Sequence, residues 1–196
     1  MKPILLVIMA YTILTPAYAS SLIPEKDLPA SVIVHIRSDY LDRAETMATD
    51  STKDNSIIVI QNSQSFRFVT FGREFGVLPF TYLPQKPESW RKCMIRVLVM
   101  PGYHFLQDLE TGADETPCNG FMALSFKDVT SDGNGEIIAI FDATTSGNKS
   151  IEPDVAVYVY EPASQRFTLN GELSNKATSK SIKSMKDVLR NLSNKH

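Results

Sequence analysis

Cysteine is scarce in this chain: two among 196 residues. That number excludes a disulfide-dense miniprotein and a four-cysteine zinc site. Histidine is nearly as rare, with three residues, so there are few candidates for imidazole chemistry. Glycine (9) and proline (11) are too few for a collagen-like or low-complexity sequence. Neither sign of charge dominates: Lys+Arg 20 stand against Asp+Glu 22, a formal net charge of −2. A nucleic-acid binder would show a clustered positive excess, and none is present. No apolar run after the first twenty residues approaches the length of a membrane-spanning helix, about 20 residues. What the chain does have is an apolar fraction of 43%, enough for a real core in one domain or two small ones. The same fraction excludes a disordered acidic chain.

The N-terminus reads as an export address. Met1-Lys2 carries one positive charge, Ile4 to Leu14 is apolar, Pro16 breaks the run, and Ala17-Tyr18-Ala19 follows. Small residues at −3 and −1 fit signal peptidase, so cleavage after Ala19 is expected. The apolar stretch is too short for an anchor, and no cysteine follows the site to carry a lipid. The expected organisation is a signal peptide at 1–19 and a single β-rich domain at 20–196, slightly more acidic once Lys2 is lost. Periplasm is the expected location, with secretion as the alternative. In an oxidising compartment Cys93 and Cys118 are expected to pair, closing a loop worth roughly 3 kcal/mol. The alternative is a thiol nucleophile, but no Cys-x-x-Cys or nearby histidine supports it.

Along the mature chain the pattern predicts strands. Val32, Val34 and Ile36 alternate with Ile33, His35 and Arg37, a period of two. Residues 40–55 are polar and read as a short helix or a loop. Ile57–Ile60 and Phe66–Phe71 flank Asn62-Ser63-Gln64-Ser65 and predict a hairpin. Pro79, Pro84 and Pro87 predict an irregular loop over 76–90. Cys93–Met100 is a strand closed by Pro101-Gly102, and 107–120 is acidic and turn-rich. Phe121–Phe126, Glu136–Phe141, Asp154–Tyr160 and a short run from Phe167 to Leu169 are further strands. Met185, Val188, Leu189 and Leu192 stand at helical spacing, with Ser184 as the cap and Asp187 three residues on. The expected fold is mainly β, antiparallel strands in a propeller-like or sandwich arrangement, with a short C-terminal helix.

One segment carries chemistry. Oxygen-bearing side chains stand at Asp128, Thr130, Asp132 and Glu136, and Asn134 sits where such loops offer a backbone carbonyl. The alternation turns oxygens toward one point, as a hard cation such as Ca²⁺ requires. Gly133 provides a left-handed turn residue, and Glu136 at the ninth position closes the loop earlier than the twelfth-position Glu of an EF-hand. The alternative is a plain polar turn built from ordinary turn formers.

The segment Asp128–Ile137, Asp-x-Thr-x-Asp-Gly-x-Gly-Glu-Ile, resembles the calcium loop of FG-GAP (integrin-like) repeats. Asp154–Leu173 is similar to a segment of exported bacterial proteins that pair an Asp-rich loop with a strand ending Tyr-x-Tyr, then a turn, a Phe and an Asn-x-x-Leu. Some of those are periplasmic lysozyme inhibitors, immunity proteins against secretion-system effectors. The resemblance spans residues 121–175. It implies a β-rich, propeller-like domain with a structural calcium, and Asp128, Asp132 and Glu136 carry over; Thr130 departs from the usual acidic or amide residue. The implied partner is a protein, a cell-wall hydrolase or toxin, and the implied role is non-catalytic.

Enzyme signatures are few. No Gly-x-Ser-x-Gly, His-Glu-x-x-His or phosphate loop occurs. His35 is expected on the solvent face of its strand and His196 is terminal. His104, expected in a loop, could act with a carboxylate from Asp108, Glu110, Asp114 or Glu115 in a secreted hydrolase. Trp90 beside Arg91-Lys92 reads either as a binding anchor or as a core plug. A calcium-stiffened envelope or adhesion module is a third reading, and it expects several such loops where the sequence offers one.

Overall fold

The computed structural model of the chain describes residues 21–23, 27–41, 58–84, 90–111, 117–144 and 151–193. The expected signal peptide, residues 1–19, lies outside them, as do all of 42–57 and the Asp114/Glu115 pair. In chain order the elements are β1 (Ser21–Leu22), α1 (Ala30–Leu41), β2 (Ile58–Ile60), β3 (Phe66–Thr70), β4 (Arg73–Tyr82), β5 (Lys92–Val99) and β6 (His104–Thr111). Then follow β7 (Cys118–Lys127), β8 (Glu136–Thr144), β9 (Ile151–Glu161), β10 (Arg166–Leu169), α2 (Gly171–Thr178) and α3 (Met185–Ser193).

The strands form two antiparallel sheets. The first runs β1-β3-β4-β5-β6, with β2 also paired to β4; the second runs β10-β9-β8-β7. Among the described residues neither sheet closes into a barrel, and the strands do not repeat as propeller blades. The two sheets share one core, rich in aromatic rings: Phe68 stacks on Phe126 with centroids 3.9 Å apart, and Phe75 meets Phe167 edge-on at 5.3 Å. The outer face of the first sheet is covered by α1 through Val32, Ile36 and Tyr40 against Leu78, Phe80 and Met94. The outer face of the second is covered by α2 and α3 through Ala177, Val188 and Leu192 against Ile138, Ile140 and Val157. Strands buried on both faces lose the clean alternation of a half-exposed sheet, which is why β4, β5 and β8 read as near-continuous apolar runs.

Several cross-sheet ties fix the stack, among them a disulfide and two sets of hydrogen bonds. The Cys93–Cys118 disulfide joins β5 to β7, with Cα atoms 5.7 Å apart. The Gln107 amide donates to the Phe167 carbonyl (2.8 Å) and accepts from the Phe167 N–H (3.0 Å). It thereby stands in for a neighbouring strand at the edge of β10. The Tyr158 hydroxyl donates to the Glu110 carbonyl at 2.6 Å.

Several local expectations are corrected. Residues 32–36 are helical. Val32, Ile36 and Tyr40 recur every four residues and are buried, whereas Val34 is 59% exposed. Packing on the outer sheet face overrides the strand preference of β-branched residues. His35 is exposed, as expected, but on a helix. The predicted hairpin between 57–60 and 66–71 does not form: β2 and β3 both pair with β4, end to end. The actual hairpin joins β3 to β4 through Phe71 (φ 48°) and Gly72 (φ 68°), the left-handed pair that a two-residue type I′ turn demands. The prolines do not break 76–90 throughout, since β4 runs through Pro79 to Tyr82. The Pro79 carbonyl accepts from the Gln61 N–H, on the edge where β3 ends and β2 begins. An antiparallel residue presents N–H and C=O to the same edge, so the missing proline donor falls where no ladder bond is required. His104 opens β6 and is not in a loop, and 107–111 belong to that strand. Trp90 is 58% exposed and plugs no core.

The C-terminal helix forms as expected. Asp187 accepts from the Ser184 hydroxyl (3.0 Å) and the Lys183 N–H (3.2 Å), and both bonds hold its carboxyl below its usual range. Helix α2 was not anticipated. Asn170 caps it, its Oδ1 accepting from the Leu173 N–H at 3.0 Å.

Candidate metal centre

The segment 128–135 connects β7 to β8, and its geometry follows from the carboxylates. Asp128 accepts from the Ser131 N–H (2.6 Å) and the Gly133 N–H (3.0 Å), pulling the chain back on itself. Asp132 accepts from the Asn134 N–H at 2.8 Å. Ser131 (φ 63°) and Gly133 (φ 85°) take left-handed conformations to make the turn. Glu136, the first residue of β8, is 1% exposed and turns into the loop. There it accepts from the Val129 N–H (2.8 Å) and the Thr130 hydroxyl (3.2 Å).

Asp128, Asp132 and Glu136 are thereby brought together, each offering one carboxylate oxygen within 4.8 Å of the others. This triad could hold a metal ion. Its donors are all oxygen, the chemistry of hard cations such as Ca²⁺ or Mg²⁺. A carboxylate oxygen has two lone pairs, so the loop hydrogen bonds leave capacity for a cation. Burial pushes the Glu136 carboxyl above its usual range; the Val129 and Thr130 donors oppose this, and the charges of Asp132 and Asp128 add to it. A cation at the triad would offset that repulsion. The Thr130 hydroxyl donates to Glu136, and the Asn134 N–H donates to Asp132.

Gly135 is required by a close approach. A Cβ there would overlap the ring of Phe126, which is stacked on Phe68 in the inter-sheet core. Relieving the overlap requires that packed ring to shift, so Gly135→Ala is expected to cost about 1–3 kcal/mol, the range for overpacking a core. Thermal melting checks this; a variant melting with the parent would show that Phe126 has room to move.

A second polar cluster, invisible in the sequence, lies under α1. Arg96 of β5 is 2% exposed. Its Nε and Nη2 donate to the two Asp108 oxygens at 2.9 and 2.8 Å, and Nη2 also donates to Asp39 of α1 at 2.8 Å. The Tyr40 hydroxyl donates to Asp108 at 2.9 Å. Burial works to lower the Arg96 pKa, but the hydrogen bonds and charges of Asp108 and Asp39 overcome it and the net shift is upward. Burial, reinforced by Asp108, pushes the Tyr40 hydroxyl up as well. Phe105 lies over the guanidinium, 4.8 Å from centroid to Cζ, yet its ring is 59% exposed.

Of the residues considered for hydrolysis, the described ones, His104, Asp108 and Glu110, do not converge; Asp114 and Glu115 lie outside the described residues. His104 pairs opposite Val99, which packs toward the inter-sheet core. Asp108 pairs opposite Arg96 on the other face of the sheet. Directly opposed residues share a face, so imidazole and carboxylate project from opposite sides of β6. Asp108 is committed to Arg96 and Tyr40, and Glu110 to Lys92 at 2.6 Å. Both cysteines are in the disulfide, which removes the thiol alternative.

The fold and the loop together define a mainly β, disulfide-bridged protein of two stacked antiparallel sheets, with an interstrand acidic loop able to hold a cation. Comparison with protein-family models, curated proteins and solved structures finds no match to this chain.

Proposed function

We propose that this is an exported, non-catalytic protein that binds another protein, in the manner of a periplasmic immunity protein blocking a cell-wall hydrolase or secreted toxin. Calcium in the 128–136 loop would hold the scaffold and take no part in chemistry. Export is supported by the leader-like first residues and by a disulfide in a chain where no helix of the described residues is long and apolar enough to cross a membrane.

The observation that carries the binding reading is Phe105. An exposed aromatic ring is fixed on a buried, doubly ion-paired arginine, beside a cavity of about 260 Å³ bounded by His35, Asp39, Tyr103 and Arg96. A ring already ordered in the free protein loses little entropy on binding, and such rigid aromatics dominate interface energies. The test is co-purification with exported products of neighbouring genes. A partner bound at micromolar affinity or better is expected, and Phe105→Ala is expected to weaken it by about 2 kcal/mol, roughly thirtyfold. If no partner reaches micromolar affinity, the inhibitor reading fails.

The calcium reading has its own measurement. Titrating Ca²⁺ into chelator-treated protein is expected to raise the melting temperature, by an amount equivalent to about 2.7 kcal/mol at a hundred times Kd. Asp132→Ala should abolish the rise. A flat titration, or a rise that survives Asp132→Ala, leaves the loop a plain turn.

A further inference from the structure

A cleft of about 630 Å³ lies between α2, α3 and the β7–β8 loop. Its size falls in the range of small-molecule sites, about 300–1,000 Å³. Three cations line it: Lys127 at the end of β7, Lys176 on α2 and Arg190 on α3. Lys127 and Lys176 make no ion pair among the described residues. Arg190 is paired to Asp187 at 2.7 Å but keeps 60% of its side chain exposed. Among the described lining residues the one carboxylate, Asp128, accepts from the Ser131 and Gly133 N–H groups. The remaining lining combines the hydroxyl residues Thr130, Ser131 and Ser193 with an apolar strip of Val129, Leu173, Leu189 and Leu192. Val129, Leu173 and Leu189 are half-buried and pack on the core beneath the helices, leaving part of each side chain to the cleft.

We infer that this cleft binds a small anionic amphiphile, a single alkyl or acyl chain ending in a carboxylate. The reasoning is one of complementarity. A bare anion would leave the Val129, Leu173 and Leu189 surface in water. A neutral apolar molecule would cover that surface while bringing three positive charges near a low-dielectric body without a counter-charge. A chain with an anionic head satisfies both: the head meets Lys127, Lys176 and Arg190, and the tail covers the leucines. The inference is independent of the protein-binding reading, because the cleft is built from the helices covering the second sheet and Phe105 belongs to the first.

Isothermal titration with dodecanoate below its micelle concentration tests it on the purified full chain. One molecule is expected to bind per chain. Lys127→Glu/Lys176→Glu should weaken it at least tenfold, and Lys176→Gln alone about threefold. Both lysines lie at the surface, so melting temperature is expected to hold in the variants; should the double variant fail to fold, Lys176→Gln carries the test. Dodecyl maltoside, with the same tail and no charge, and inorganic phosphate, with charge and no tail, should each bind at least tenfold more weakly. The inference is overturned by absence of dodecanoate heat, by binding insensitive to the lysine changes, or by equal affinity for either control. Sedimentation with phosphatidylglycerol vesicles without one-to-one dodecanoate binding would also overturn it, assigning the cations to a membrane surface.

Discussion

Arg96→Met is expected to lower the stability of the fold by about 3–5 kcal/mol, the cost of removing one partner from a buried ion pair. Methionine fills much of the same volume, so the loss is electrostatic in origin. Asp108 would keep only the Tyr40 hydroxyl as a partner in a site where its side chain is 15% exposed. Asp39 contributes less to the loss, since its side chain is 52% exposed and water can replace the arginine. The double variant Arg96→Met/Asp108→Asn is expected to recover at least half of the loss. Its neutral amide still accepts from Tyr40 and carries no unpaired charge. Urea unfolding of the three proteins reads this directly. A single variant within about 1 kcal/mol of the parent would mean that Arg96 contributes little beyond volume. The same pair of variants probes the proposed interface, because Phe105 loses the cation beneath its ring in both.

The second large effect belongs to the disulfide. Cys93 and Cys118 are 25 residues apart, and Cys93→Ala/Cys118→Ala is expected to lose about 3 kcal/mol through the regained freedom of the unfolded chain. For a chain of this size that corresponds to a fall of about 6–12 °C in melting temperature. Both half-cystines are buried, so a reductant is expected to reach them in native protein only through opening of the fold. Calorimetry of the oxidised, reduced and double-alanine forms should place the last two together and below the first. Coincident melting of all three would show that the Gln107–Phe167 and Tyr158–Glu110 ties hold the sheets without the bridge.

Much of the architecture was legible because it rests on local signals. β5, β7, β8, β9 and β10 announce themselves as β-branched and aromatic runs bounded by Gly, Asp, Asn or Pro. The α3 helix shows its period and its Ser184/Asp187 start. The acidic loop was recognisable from alternation alone, and the structure brings Asp128, Asp132 and Glu136 together. What was misread involved neighbours distant in sequence. The Val32–Ile36 alternation fits a strand locally, yet also places Val32, Ile36 and Tyr40 on one helical face, and the sheet beneath α1 selects the helix. Pro79 looks like a breaker until β4 is seen to change partners beside it.

By itself, then, the sequence determined the strand-rich character, the C-terminal helix, the two candidates for a bridge and the placement of carboxylates along 128–136. Apart from the cysteines, each of these depends on residues a few positions apart, and backbone periodicity or turn chemistry expresses them within one segment. Only the tertiary structure decided that 30–41 is helical, that His104 and Asp108 face opposite ways, and that Arg96 is buried between Asp39 and Asp108. It also decided that Lys127, Lys176 and Arg190 line one cleft. Those facts depend on which face of one element meets another, and packing settles this across separations that no local window contains. The two scarce cysteines show both halves: their chemistry was readable from composition and context, and their pairing required β5 and β7 to bring their Cα atoms to 5.7 Å.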